Sequence, residues 1–186
     1  MINLLKQKNK NNSGFTLVET LVAISIFTIS ILALMSVLAK GMSDTNYAKQ
    51  QMTASYLAQE GIEYIRNMRD TSVLSGSSSL DGWNAFISKI SVCNLEKLCG
   101  FDSSISQIDS NPIFFCSEHN DCRLFVNNGD YNIDPNGADS GFTRTIISDT
   151  TNLGNDEIKI ISKVEWTQGS GTHNVTFSEN LYNWIE

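Results

Sequence analysis

Ser13-Gly14-Phe15-Thr16-Leu17-Val18-Glu19 is the stretch that decides how this chain reads. It joins a basic start, with Lys6, Lys8 and Lys10 and no acid, to an apolar run that continues to Ala39. Those 25 residues, Phe15 to Ala39, carry one charge, Glu19. At about 1.5 Å per residue a helix of that length spans roughly 37 Å, enough for a hydrocarbon core of about 30 Å. Lysines ahead of an apolar span hold that end in the cytoplasm, so the remainder of the chain is expected outside.

Three kinds of segment compete for this run. An ordinary signal peptide has an apolar stretch of about 7–15 residues and a small-residue cleavage site at its far end. Val37-Leu38-Ala39 offers such a site, but the stretch ahead of it is long and contains a carboxylate. A plain membrane anchor fits the length and leaves Glu19 unexplained, since an acid at the bilayer centre costs about 2.5–3.5 kcal/mol. The third kind accounts for every part. A short basic leader, a Gly before the cut, an aromatic first residue and an acid four residues later resemble the N-terminus of type IV prepilins and type II secretion pseudopilins.

That resemblance implies a prepilin peptidase that cleaves after Gly14 and methylates the new amine of Phe15. It also implies partners: other pilin or pseudopilin subunits, assembled through the apolar helix. Cutting behind Gly14 leaves a cationic amine at the membrane. Glu19 of a neighbouring subunit would neutralise it, turning two costly buried charges into one pair. The apolar run lacks the proline of many major pilins, leaving Ser36 and Gly41 as its weakest helical points. The segment Tyr56-Leu57-Ala58-Gln59-Glu60-Gly61-Ile62-Glu63, followed by Arg66 to Asp70, is similar to minor pilins and pseudopilins in particular.

Composition sets the rest apart from this end. From Lys40 to Glu186 there are ten Lys or Arg against nineteen Asp or Glu. An acidic domain is a solvated surface and argues against nucleic acid as a partner. Four cysteines fall in two equally spaced pairs, Cys93/Cys99 and Cys116/Cys122. Outside the cytoplasm they read as disulfides, with local pairing expected from among three connectivities. Zinc sites usually place two to four residues between paired ligands, and these pairs hold five.

Helical periodicity continues beyond the membrane, with Ala54, Leu57, Ala58, Gly61, Ile62, Ile65 and Met68 at spacings of three and four. One helix is therefore expected from Phe15 to about Asp70. Gly76-Ser77-Ser78-Ser79 reads as a loop, and Asp81 as the N-cap of a short helix with Trp83, Phe86, Ile87 and Ile90 on one face. Period-two alternation then takes over at Phe142–Ser148, Ile158–Trp166 and His173–Phe177, with a hairpin at Gly169-Ser170-Gly171. Pro112–Cys116 and Cys122–Val126 are shorter strand candidates, and Leu181, Tyr182, Trp184 and Ile185 are expected to close over the sheet.

The expected class is α+β: a long N-terminal helix, membrane-spanning in its first half, packed on an antiparallel sheet of three to five strands. The expected divisions are a leader at 1–14, the membrane and assembly half of the helix at 15–39, its soluble half at 40–70 and an external domain at 71–186. The resulting chain is a single-pass protein of the cytoplasmic (inner) membrane with its N-terminus inside, later part of an extracytoplasmic filament. Asp130, Asn132, Asp134 and Asp139 are calcium candidates in an oxygen-rich loop, although no Glu closes it and the same residues serve as turn formers. His119 and His173 are the only histidines, and no catalytic triad or paired-carboxylate motif marks an enzyme. A structural filament subunit of a pilus, secretion or competence machine is the leading reading. A binding module held at the membrane or filament tip, for adhesion, DNA uptake or cargo recognition, is the alternative.

Overall fold

The computed structural model describes residues 14–149, except 106, 108, 109 and 119, and residues 156–183. The leader lysines, His119, Trp184 and Ile185 lie outside the described residues. The chain divides into two compact units between Asn46 and Tyr47, and each is taken by itself.

The first unit is helical. Helix α1, Leu17–Ser75, begins in it and continues into the second unit. The hydroxyls of the apolar stretch bond within the helix: Ser25 to the Leu21 carbonyl at 2.8 Å and Ser30 to the Ile26 carbonyl at 2.8 Å. Internal satisfaction of this kind is what a hydrocarbon environment demands of any hydroxyl it surrounds. Neither Ser36 nor Gly41 interrupts the helix.

In the second unit the outer part of α1 buries the expected stripe, Ala54, Leu57, Ala58, Gly61, Ile62, Ile65 and Met68. The helix ends at Ser75 rather than near Asp70, because its last turn packs against the next helix: the Gly82 Cα faces the backbone of Ser72 and Val73. Helix α2, Ser79–Ile90, is capped by Ser78 and not by Asp81. The Ser78 hydroxyl accepts the Asp81 amide at 3.2 Å and donates to the Asp81 carboxylate at 2.8 Å, so Asp81 is the third helical residue of the cap. Trp83, Phe86 and Ile90 are buried on the expected face.

Among the described residues seven strands form one antiparallel sheet: β1 Cys99–Phe101, β2 Ile113–Phe115, β3 Arg123–Asn127, β4 Asp130–Asn132, β5 Ala138–Asp149, β6 Glu157–Gln168 and β7 Gly171–Tyr182. β5 is the axis. One of its sides pairs with β3 near its start and with β1 near its end, and the other pairs with β6 along eight registered residues. β7 completes that side. The sequence reading missed β1 and β4, which are three residues each. Asn128 and Gly129, both at positive φ, make the tight turn that folds β4 back on β3.

The inward faces are the alternating sets: Phe142, Arg144, Ile146 and Ser148 from β5, and Ile158, Ile160, Ser162, Val164 and Trp166 from β6. They meet α1 and α2 in two apolar clusters, one around Ile65, Phe86 and Ile160, the other around Leu57, Phe142 and Trp166. Leu181 is buried over the first cluster, whereas Tyr182 is half exposed. Disulfides join Cys93 to Cys99 and Cys116 to Cys122.

Candidate functional site: the N-terminal processing and assembly segment

Gly14, Phe15 and Thr16 precede α1, and Phe15 is 84% exposed. A Cβ added at Gly14 would meet nothing within 4 Å. No described residue therefore crowds this position. All the large apolar residues from Leu17 to Leu38 are exposed, Leu17 at 78% and Val37 at 70% among them. A contiguous apolar surface of this size marks a membrane or protein contact.

Glu19 has a local role that the sequence reading missed. Its carboxylate accepts the Thr16 amide at 3.0 Å and the Thr16 hydroxyl at 2.9 Å, and the same hydroxyl faces the Glu19 amide at 3.3 Å. Thr16-Leu17-Val18-Glu19 is thus a capping box, recognisable in sequence as Thr-x-x-Glu ahead of an apolar run. The cap satisfies two otherwise orphaned amides at the start of α1. It explains an acid at this turn of any helix. It does not explain the glycine, the exposed phenylalanine or the basic leader that accompany it.

In the second unit, Arg144 is the charge held deepest among the described residues, 4% exposed on β5. Its guanidinium donates to Glu60 of α1 at 2.7 Å and lies 4.0 Å over the Phe101 ring. The other neighbour of Phe101 is Tyr64, stacked at 4.0 Å. Burial pulls the Arg144 pKa down, opposed by Glu60. Burial likewise raises the Tyr64 phenol, whose hydroxyl donates to the Asp102 carbonyl at 3.1 Å. These contacts pin α1 to β5 and β1.

The oxygen-rich loop is engaged with itself. Asn127 donates to Asn132 at 3.3 Å and to Asp134 at 3.1 Å, the Asn136 amide reaches Asp134 at 3.0 Å, and the Gly141 amide reaches Asp139 at 2.8 Å. Asp139 also faces Arg123 at 3.6 Å. Among the described residues no three His, Cys, Asp or Glu side chains are grouped to hold a metal ion. Beside the loop lies a cleft of about 880 Å³ lined by Glu60, Asp102, Tyr131, Ile133 and Asp134. His173 lies in an aromatic group with Tyr47 and Trp166, at ring distances of 5.0 and 5.6 Å.

With this geometry in place, the prokaryotic N-terminal methylation motif matches residues 9–35. The match covers residues 9–13, Gly14-Phe15, the Thr16–Glu19 cap and all but the last four residues of the apolar stretch. No curated protein and no solved structure matches the chain. This end of the chain is of the prepilin type, and the motif marks a structural class of subunit rather than an enzyme.

Proposed function

We propose that the chain is a prepilin-like subunit, cut after Gly14, methylated on Phe15 and assembled through its apolar helix into a pilus or pseudopilus as a minor subunit. The observation that carries the reading is the methylation motif seated on the first part of α1, where the large apolar residues from Leu17 to Leu38 are all exposed. Gly14-Phe15 lies inside the matched motif, immediately ahead of that helix. On this reading residues 1–14 are the leader, 15–39 the membrane and assembly segment, 40–70 the soluble stem and 71–186 the external domain. The peptidase and the neighbouring subunits are its partners, and the route runs from the cytoplasmic membrane to an extracytoplasmic filament.

Intact mass of the membrane-extracted chain tests the processing step. Removal of 14 of the 186 residues leaves 172, carrying one methyl group on Phe15. A chain beginning at Lys40, or an uncut Met1, would overturn the proposal. Replacing Gly14 by a bulky residue should leave the precursor uncut while the external domain folds normally.

A further inference from the structure

Among the described residues the side of β7 away from β6 is a free edge. β7 pairs with β6 through twelve unbroken register pairs, from Gln168↔Gly171 to Glu157↔Tyr182, and no other described strand pairs with it. Exposed edges are normally blunted by lysine, proline, a bulge or an inward charge. β7 has no lysine, proline or bulge. Its one inward acid, Glu179, is already held by Arg66 at 2.7 Å. Of the outward residues, Thr172, Asn174, Thr176, Ser178 and Asn180 are exposed, short and uncharged, and Tyr182 at the end is half exposed. An unpaired edge twelve residues long is therefore open to another strand.

We propose that this edge is a homotypic interface, in which β7 of two copies pairs antiparallel about Thr176. The strand is close to self-complementary around that residue. Pairing 176 with 176 sets Val175 against Phe177 and His173 against Glu179 on the inward face, and Asn174 against Ser178 and Thr172 against Asn180 on the outward face. Paired residues must lie on the same face, so the neighbouring registers are shifted by two. Centring on Val175 sets His173 against Phe177 and Gly171 against Glu179. Centring on Phe177 sets Val175 against Glu179 and His173 against Leu181. Only the Thr176 register matches apolar to apolar and imidazole to carboxylate, the cross-strand pairings that stabilise a sheet.

The contact has a direction. Tyr47 packs on His173 at 5.0 Å, Arg66 on Glu179 at 2.7 Å, and Arg69 reaches the Tyr182 carbonyl at 3.5 Å. The outer part of α1 therefore runs with β7, and a two-fold axis through Thr176 sets the outer parts of two copies antiparallel. The pair joins copies presented in opposite directions, as where two filaments or two cells meet. Many weak copies of one contact along such structures add by avidity. The pairing itself rests on the external unit alone and goes beyond the filament reading.

Cross-linking of the full chain in detergent tests it, because every native cysteine is already bonded. Asn174→Cys and Ser178→Cys chains should form a disulfide dimer when mixed at least about fivefold more efficiently than either alone, since pairing residues lie opposite one another and same-residue pairs do not. Thr176→Cys should cross-link to itself. Thr167→Cys, exposed at the end of β6, sets the background from chance encounters within a micelle. Adding Thr176→Lys to both partners, which brings two ammonium groups face to face, should return the mixed yield to that background. Equal yields for mixed and single chains, a background yield for Thr176→Cys, or indifference to Thr176→Lys would each overturn the proposal. None of these readouts depends on cleavage at Gly14, so its failure and that of the filament reading are distinguishable.

Discussion

Arg144 and Glu60 are 84 residues apart in sequence and 2.7 Å apart in space. Alternation in β5 placed Arg144 in one set with Phe142, Ile146 and Ser148, but it could not name the partner that makes burial of a guanidinium tolerable. The motif around Gly14, Phe15 and Glu19 was legible because it is a linear stretch of sequence. A long-range ion pair leaves no such local mark. Glu60→Ala should lower stability by about 1–3 kcal/mol, the cost of a buried donor left unsatisfied, reduced where water reaches it. Arg144→Met should do less harm, because it removes the buried charge and keeps the volume. Denaturation midpoints of the two variants check this, and a larger loss for Arg144→Met would contradict it. Tyr64 adds a pH dependence. Its phenol is raised above the ordinary 10.0 by burial, so ionisation favours the unfolded chain first. The Tyr64 contribution should be intact below about pH 10 and decline as pH rises through the folded value. Tyr64→Phe should flatten that alkaline decline in a pH series of melting curves.

Among the elements, α1 and the three long strands were readable because each repeats its period for two or more turns or for five or more residues. The cap of α2 was misassigned by three positions: Ser78 and Asp81 are both good cap residues, and their reciprocal bonding resembles a cap at either one. β4 was hidden by its Asp and Asn content, although Asn128-Gly129 ahead of it is a hairpin signal. Gly61 was legible as part of the buried stripe, but its reason lies across the interface. A Cβ there would press on the Ser162 hydroxyl and come within 3.2 Å of Ile146 Cδ1. α1 thus approaches β6 more closely than any larger residue allows. Gly61→Leu should cost at least about 1–3 kcal/mol by overpacking. Gly61→Ala should be better tolerated when Ser162 is also alanine, since the Ser162 hydroxyl is both the obstructing atom and buried without a partner. A double-mutant cycle showing simple additivity would refute this close contact. The two bridges act at the same scale. Each spans six residues, so opening either should cost roughly 2–3 kcal/mol, measured after paired Cys→Ala substitution.

At the scale of the whole molecule the fold does two jobs with one helix: it presents an apolar surface along the first part and anchors a seven-stranded sheet on the second. Glu19 is where these jobs can be told apart. In the single chain its carboxylate is taken up by the Thr16 amide and hydroxyl, so the acid is stabilised before any neighbour arrives. Glu19→Ala removes that cap, worth about 1 kcal/mol, but it also removes the cost of an acid in the bilayer, which is larger. On the proposed function the lone subunit should therefore insert normally, and a peptidase cutting after Gly14 should still cut it. The defect should appear on assembly. There the cationic amine of a neighbouring Phe15 would be buried with nothing to neutralise it, a loss of about 3–5 kcal/mol for a buried pair broken on one side. That corresponds to a fall of two orders of magnitude or more in incorporation. Glu19→Gln is the informative companion, because an amide oxygen preserves the bond to Thr16 while removing the charge. If capping were the whole role of Glu19, the glutamine variant would assemble and the alanine variant would not. If charge neutralisation governs, both should be cleaved, inserted and excluded from filaments. Cleavage by mass and incorporation by filament shearing, scored separately in cells making the other subunits, decide between them; normal assembly of the alanine variant would remove Glu19 from the mechanism altogether.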